Sequence, residues 1–358
     1  MTGVQTCALP ILLFAQAKGL ESLRDIEVSL QSHQKKWHHL GLNTVARSTL
    51  ADANTNRDAA ILKDAFYSLL EKCHTLVPKN QFKIKNPLYS FDSTLINVCL
   101  SLFPWATYRK KKGAFKIHTL LDHQGYLPSF MVLTDGNTHD VKVVKSASYG
   151  FPALSPDSIL LVDRAYIDYT WLYSLTKTNV FFVTRMKTNM KYTVLGQQEF
   201  PIINGIVEDR RVKLSNYCQS RYYPDPLRLV TVADSTSGEL ITFMTNNFSL
   251  SADTIAELYK SRRQIETFFK WIKQNLRIKY FLGTSKNAVM TQIWAAMIYY
   301  LLLSFIKFQT ECRHSLHELT KIIGEIFLDT VSLIEFLTIP FDKFKLINQK
   351  QAQLSLFD

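Results

Sequence analysis

The sequence predicts an α/β protein, with a mixed sheet flanked by helices, a mainly β insertion, and helical regions at both ends. Three changes in apolar spacing carry that reading. From about residue 12 to 80, apolar residues recur at the spacing of one helix face, as in Leu20-Leu23-Ile26-Leu30 and Ile61-Ala65-Leu69. Near Val77-Pro78-Lys79-Asn80 the pattern gives way to short runs separated by turn residues, which is strand composition. Helical spacing resumes at Ser251-Ala252-Asp253.

Taken in order, the expected divisions are a helical region over 12–82, a catalytic α/β domain over 83–310 with its insertion at about 187–250, and a helical region over 311–358. Residues 1–11 resemble a translated sequencing adapter read from a GTG start and are set aside, together with Cys7. They lack the cationic start of a signal peptide. Gly41 offers a turn within the first region, and Asn43 or Ser48 a helix cap. That region reads equally as a DNA-binding module of short helices or as a cap on the next domain.

The first strand is Leu88 to Ile96, the second Ala114 to Leu121, and the third Tyr126 to Thr134, with Asp122-His123-Gln124-Gly125 as a hairpin turn. A helix near 139–147 precedes Ser158-Ile159-Leu160-Leu161-Val162-Asp163, a continuous apolar run ending in an acid. Such a run is what a buried parallel strand looks like at its functional end. A helix from Tyr166 to Leu175 and a buried strand from Val180 to Thr184 follow. Beyond them, Arg228 to Val232 and Leu240 to Thr245 are strand-like and either extend the sheet or stand on it as an insertion.

A hydrophobic content of 47% and a charged content of 20% over 358 residues describe a chain with ample core. The net charge of +12 points toward a polyanion, of which nucleic acid is the commonest. Five dispersed cysteines without a C-x-x-C pair suggest neither a zinc site nor a disulfide framework and fit a reducing cytoplasm. The longest apolar run, Ile293 to Ile306, is shorter than the roughly 20 residues of a membrane span and reads as a core helix.

Three carboxylates stand out: Asp92 inside the first strand, Asp163 at the end of the apolar strand, and Glu266 in the late helical stretch. Read as one helix, that stretch puts Tyr259, Arg262, Glu266 and Lys273 within about 60° of arc, with Ile265, Phe268 and Ile272 on the adjoining face. Glu266 is the single acid between Tyr259 and Lys279. A ribonuclease-H-like sheet would set the first strand beside the fourth and lay the late helix across them, converging the three acids. Clustered carboxylates bind hard divalent cations. Two such ions can activate a water or a 3′-hydroxyl and stabilise the leaving oxygen of a phosphodiester.

The spacing Tyr259, Arg262, Glu266, Lys273 resembles the Y-R-E-K signature of DDE-type bacterial insertion-sequence transposases of the IS-four family. Asp163-Arg164-Ala165-Tyr166 resembles that family's second motif, with Ala165 where Gly is usual, and Asp92-Ser93-Thr94 resembles its first. Lys116-x-His118 and Gly136-Asn137-Thr138-His139-Asp140 look like further family features. The resemblance implies that Asp92, Asp163 and Glu266 ligate two Mg2+ ions, with Mn2+ able to substitute. It implies that Tyr259, Arg262 and Lys273 contact phosphates of the element end, and that the chain cuts inverted repeats and joins their 3′-hydroxyls to target DNA. A homodimer on double-stranded DNA, a cytoplasmic, nucleoid-associated location and no membrane go with it. Alternatives are a stand-alone nuclease or resolvase using the same acids, and a catalytically inactive DNA-binding relative.

Further candidates for DNA contact are Arg263, Lys270 and the basic run holding Arg109 and Lys111. Lys116 and His118 alternate on one strand face and read either as DNA or site-supporting contacts or as a buried, satisfied pair. His139-Asp140 reads as a helix start or as a pair that orients a site carboxylate. The resemblance makes Phe243 and Trp271 candidates to stack on a flipped base.

Overall fold

The computed structural model describes residues 8–36, 45–77, 84–108, 112–197, 205–234, 238–275, 280–329 and 337. The chain opens with helices α1 (Ala8–Lys18), α2 (Leu23–Ser32), α3 (Arg47–Asn56) and α4 (Ala60–Leu76). Strands β1 (Leu88–Val98), β2 (Thr107–Tyr108), β3 (Lys112–Asp122) and β4 (Leu127–Asp135) follow, then α5 (Asp140–Lys145), β5 (Ile159–Val162), α6 (Tyr169–Lys177) and β6 (Phe181–Arg185). Next come β7 (Tyr192–Gln197), β8 (Ile206–Leu214), α7 (Tyr217–Tyr222), β9 (Leu227–Ala233) and β10 (Leu240–Thr245). The last elements are α8 (Ala252–Ser261), α9 (Arg263–Asn275), α10 (Lys286–Thr310) and α11 (Leu316–Ile326). Contacts divide the chain into a sheet unit, residues 79–272, and a helical unit built from residues 1–78 and 273–358. Residues 273–310 fall in the helical unit.

In the sheet unit the strand order is β2-β3-β1-β5-β6-β10-β9-β8-β7, with β4 paired to β3. β1 is antiparallel to β3 and parallel to β5, and β5 is parallel to β6. That is the ribonuclease-H-like arrangement expected from the sequence, an antiparallel meander joined to two parallel strands. The insertion extends this same sheet: β10 pairs with β6, and β9, β8 and β7 follow, all antiparallel. The β3–β4 turn is tight because Gly125 takes φ 79° and Tyr126 φ 55°, backbone that glycine adopts without penalty.

Side-chain alternation sorts the sheet into two apolar faces. Phe91, Leu160, Val162 and Phe182 pack with Val143 of α5 and with Trp171, Leu172 and Leu175 of α6. Leu88, Ile159, Leu161, Val183 and Phe243 pack with Ala252, Ile255, Ala256 and Leu258 of α8. The chain entering α8 is anchored by Arg228, whose guanidinium donates to both oxygens of buried Asp209 at 2.9 and 2.7 Å and to the carbonyls of Asn247 and Leu250 at 3.2 and 2.6 Å. Ser251 then caps the helix by accepting from the Thr254 amide.

In the helical unit, α10 supplies a long apolar rod. It has 25 residues and is long and apolar enough to cross a membrane by length and composition, yet most of it is buried within the unit. Trp294 packs on Phe66 of α4, with ring centroids 5.3 Å apart. Asn287 stitches α10 to the α3–α4 connection, accepting from the Ala59 amide at 3.1 Å and donating to the Arg57 carbonyl at 2.6 Å. A capping box formed by Ser315 and Glu318 starts α11. The first helix begins at Ala8, inside the stretch resembling an adapter, and Ile11 packs with Phe14, Ile26 and Leu30. Gly41 and Asn43 lie outside the described residues.

Candidate active site

The β1–β5 register places two of the acids. The ladder ends at Phe91 opposite Val162, so one further step sets Asp92 level with Asp163. Phe91 and Val162 both belong to the α5–α6 face, so alternation turns Asp92 and Asp163 toward the face covered by α8. Each aspartate is steadied by the next residue's amide: Ser93 N–H donates to Asp92 Oδ1 at 2.8 Å and Arg164 N–H to Asp163 Oδ1 at 2.7 Å. Neighbouring carboxylates on adjacent strands repel one another, and a cation has to offset that.

Arg262 supplies it. One arm of its guanidinium donates to Asp92 Oδ2 at 2.9 Å, and the other is paired closely with Glu266. The stretch is two helices and not the single one projected from the sequence: α8 ends at Ser261, Arg262 stands at the junction, and α9 starts at Arg263. The junction is tightened by bonds spanning three residues, from the Arg262 amide to the Tyr259 carbonyl and from the Ile265 amide to the Arg262 carbonyl, both 3.1 Å. Ile255 and Leu258 before it, and Ile265, Phe268 and Ile272 after it, are buried. Packing on both sides thus holds Arg262 over Asp92.

Electrostatics follow from this geometry. Burial pushes the Asp92 carboxyl up to about 6 and Asp163 adds to the push, while the Ser93 amide and Arg262 pull the other way. Burial alone would lower the Arg262 guanidinium, but Asp92, Tyr259, Glu266 and Asp163 outweigh it and raise it. Burial also raises the Tyr259 phenol; its ring lies against Phe243, centroids 4.7 Å apart, with the Arg262 guanidinium 5.8 Å from its centre. Among the described residues, no group of three or more His, Cys, Asp or Glu side chains is gathered as a ligand set. Asp92 and Glu266 instead share one guanidinium, with Asp163 level with Asp92. Asp92 and Glu266 thus present carboxylate oxygens to one cation, the donor type that a hard divalent ion takes.

The profile of the family described as Transposase DDE domain matches residues 84–302, and a second, described as a domain of unknown function (DUF4372), matches residues 8–43. The chain belongs to the DDE transposase family. It is 34% identical over 258 residues to a Sinorhizobium fredii protein named as transposase y4zB, covering 71% of this chain and 69% of that one. It is 30% identical to a Geobacillus stearothermophilus protein named as a transposase for insertion sequence element IS5377, covering 70% and 64%. A Synechocystis protein named as a transposase for insertion sequence element IS4SA is 23% identical, covering 87% and 86%. Membership makes the chain a metal-dependent polynucleotidyl transferase or nuclease that acts on DNA.

The remaining candidate residues of the transposase divide into exposed and committed groups. Arg263 and Lys270 are exposed on α9, and Lys273 is exposed in its last turn. Arg109 and Lys111 lie outside the described residues. Lys116 is turned inward, donating to Asp140 Oδ1 at 3.1 Å and to the Thr138 carbonyl at 2.8 Å. Of its two readings, the geometry is that of a satisfied internal pair. His118 is wholly buried, bonded to Thr134 Oγ1 at 2.9 Å, and burial lowers it to about 4. His139 precedes the first turn of α5 and Asp140 occupies it. Phe243 is 4% exposed beneath Tyr259, which leaves no face for a base, whereas Trp271 is half-buried. Sequence reasoning missed the bond from Arg262 to Asp92 and the bond from Ser93 to Asp140, because the partners lie 170 and 47 residues apart in the chain. It also missed Arg185, which the β5–β6 register sets level with Asp163 and which pairs with Glu239 at 3.2 Å.

Proposed function

We propose that this transposase cuts the ends of an insertion sequence and joins their 3′-hydroxyls to target DNA, with Asp92, Asp163 and Glu266 holding two Mg2+ ions. Mn2+ would substitute, since both are hard cations suited to carboxylate oxygens. The observation that carries the reading is the Arg262 guanidinium held between Asp92 and Glu266, beside the strand end that sets Asp163 level with Asp92. Carboxylates bridged by a cation in this way are a seat for positive charge.

Bound there, the ions would lower the pKa of the attacking water or hydroxyl and offset charge on the leaving oxygen. The chain's own part is placement. Asp92 stands within β1, Asp163 at the end of β5, and Glu266 on a helix pinned by its apolar stripe, which would hold the donors to one geometry. Arg262 carries a planar fork suited to a phosphate as well as to a carboxylate. With the acids neutralised by bound cations, this fork would be free to grip a phosphate of the element end. Tyr259, anchored on Phe243, offers a hydroxyl beside it, and the exposed Arg263, Lys270 and Lys273 supply charge along the DNA backbone. A homodimer would hold two element ends, in the bacterial cytoplasm beside the nucleoid.

Oligonucleotides carrying the inverted repeats that flank the gene, incubated with a target plasmid and Mg2+, test the proposal. Cleavage and joined products are expected from the parent chain, and neither from Glu266→Gln, which should still bind the repeats. Cleavage of arbitrary DNA without joining would assign a nuclease instead. Undiminished cleavage by Glu266→Gln would remove the metal assignment.

A further inference from the structure

Behind the aspartates, on the opposite face of the sheet, lies a polar cluster that the proposed chemistry does not use. Its centre is Asp140 in the first turn of α5. Asp140 Oδ1 accepts from Ser93 Oγ at 2.7 Å and from Lys116 Nζ at 3.1 Å, and lies 3.6 Å from His118 Nδ1. The β1–β3 register puts Ser93 opposite His118 and Leu95 opposite Lys116, so all three polar groups project to the α5 side. His118 lies parallel to Phe91, ring centroids 6.4 Å apart, and Tyr166 meets Phe91 edge-on at 5.3 Å.

Ser93 is the residue that joins the two faces. Its hydroxyl is tied to Asp140 on one side, while its amide donates to the Asp92 carboxylate on the other. Consecutive strand residues point oppositely, so a rotation of the peptide at Ser93 swings Asp92 by a matching amount. Tyr166 packs on the same face of the sheet. It follows Asp163 by three residues in the short turn Arg164–Tyr166, and its buried phenol is pushed well above its usual range by burial and then by Asp92, Asp140 and Asp163.

We propose that Asp140 is a positioning residue for the metal-binding Asp92, acting through the Ser93 hydroxyl to hold the Ser93 amide and the Asp92 carboxylate in the metal-binding orientation. This rests on the assignment of Asp92 as a metal ligand. Groups that orient metal ligands in this manner are worth 10–100-fold in metal affinity when lost. Lys116 and His118 in turn hold Asp140. An unpaired carboxylate there would be a poor strut, whereas one fixed by a cation, a hydroxyl and a neighbouring imidazole is rigid.

Binding of Mn2+ alone to the full chain, followed by electron paramagnetic resonance, tests this alongside thermal unfolding. Asp140→Asn and Ser93→Ala are each expected to weaken Mn2+ binding by about 10–100-fold. Ser93→Thr, which keeps the hydroxyl, should bind Mn2+ as the parent does, and Asp92→Asn should lose the site. A merely structural cluster would lower the unfolding midpoint and leave Mn2+ affinity at the parent value in Ser93→Ala, and that result overturns the proposal. Equal losses in Ser93→Thr and Ser93→Ala would overturn it too, by removing the hydroxyl link. Unchanged affinity in Asp92→Asn would bring down both the metal assignment and this inference, whereas loss in Asp92→Asn alone would bring down only the second.

Discussion

Replacing Arg262 by Gln in the metal-free protein removes the cation that Asp92 and Glu266 share. The Arg262 side chain is 14% exposed and Asp92 22%, whereas Glu266 is 54% exposed. The Glu266 arm, screened by water, is worth no more than about 0.5 kcal/mol. The Asp92 arm is different, because breaking a buried pair leaves a desolvated charge and costs about 3–5 kcal/mol when burial is complete. With Asp92 short of full burial, a total of about 2–4 kcal/mol is reasonable. In a unit of about 200 residues each kcal/mol moves the midpoint by about 2–4 °C, so a drop of roughly 4–16 °C is expected in chelator. Divalent cation should narrow the gap, because an ion seated between the same carboxylates replaces the lost charge and stabilises only the folded chain. Calorimetry of parent and variant, each with chelator and with Mn2+, measures both effects. A variant as stable as the parent in chelator would refute the shared-cation argument; a gap that Mn2+ leaves unchanged would refute the idea that metal and guanidinium occupy one place.

Three further outcomes follow from the same geometry. Lys116→Ala should lower the unfolding midpoint while leaving the slope of DNA affinity against log salt unchanged, since Lys116 is spent on Asp140; a slope shallower by about 1 would mean that it contacts a phosphate. Arg228→Met should cost about 3–5 kcal/mol by stranding buried Asp209, measured by denaturant unfolding, with the chain entering α8 loosened as its carbonyl contacts are lost. As pH falls from about 6.5 toward 4, His118 and His123 should each subtract stability from the sheet unit, because burial lowers both to about 4 and the unfolded chain takes up protons first. Asp122 and Asp92, raised by burial to about 6, act with the opposite sign in that window, losing their contribution as pH rises through it. Denaturation midpoints between pH 4 and 7 for the parent and His123→Gln separate them, the variant showing the weaker acid destabilisation; parallel profiles would exclude His123.

What the sequence determined by itself is whatever depends on near neighbours along the chain. The strand ending Leu161-Val162-Asp163, the β3–β4 turn at Gly125, the helical spacing of Ile265, Phe268 and Ile272, and the signature from Tyr259 to Lys273 are all local patterns, and each was legible. The order of elements then led to the ribonuclease-H-like strand order, because a meander followed by helix-linked strands has few ways to close. Tertiary structure decided the rest. Lys116 faces inward because its partner Asp140 is 24 residues away, and Phe243 is sealed by Tyr259 because β10 comes to lie beside β6. The late helix breaks at Arg262, with Ile255 and Leu258 buried before the break and Ile265, Phe268 and Ile272 after it, a break that periodicity within either half does not reveal. That break turns the guanidinium onto Asp92, 170 residues earlier. Pairings over such distances are set by which surfaces bury together, and only the folded chain holds that information.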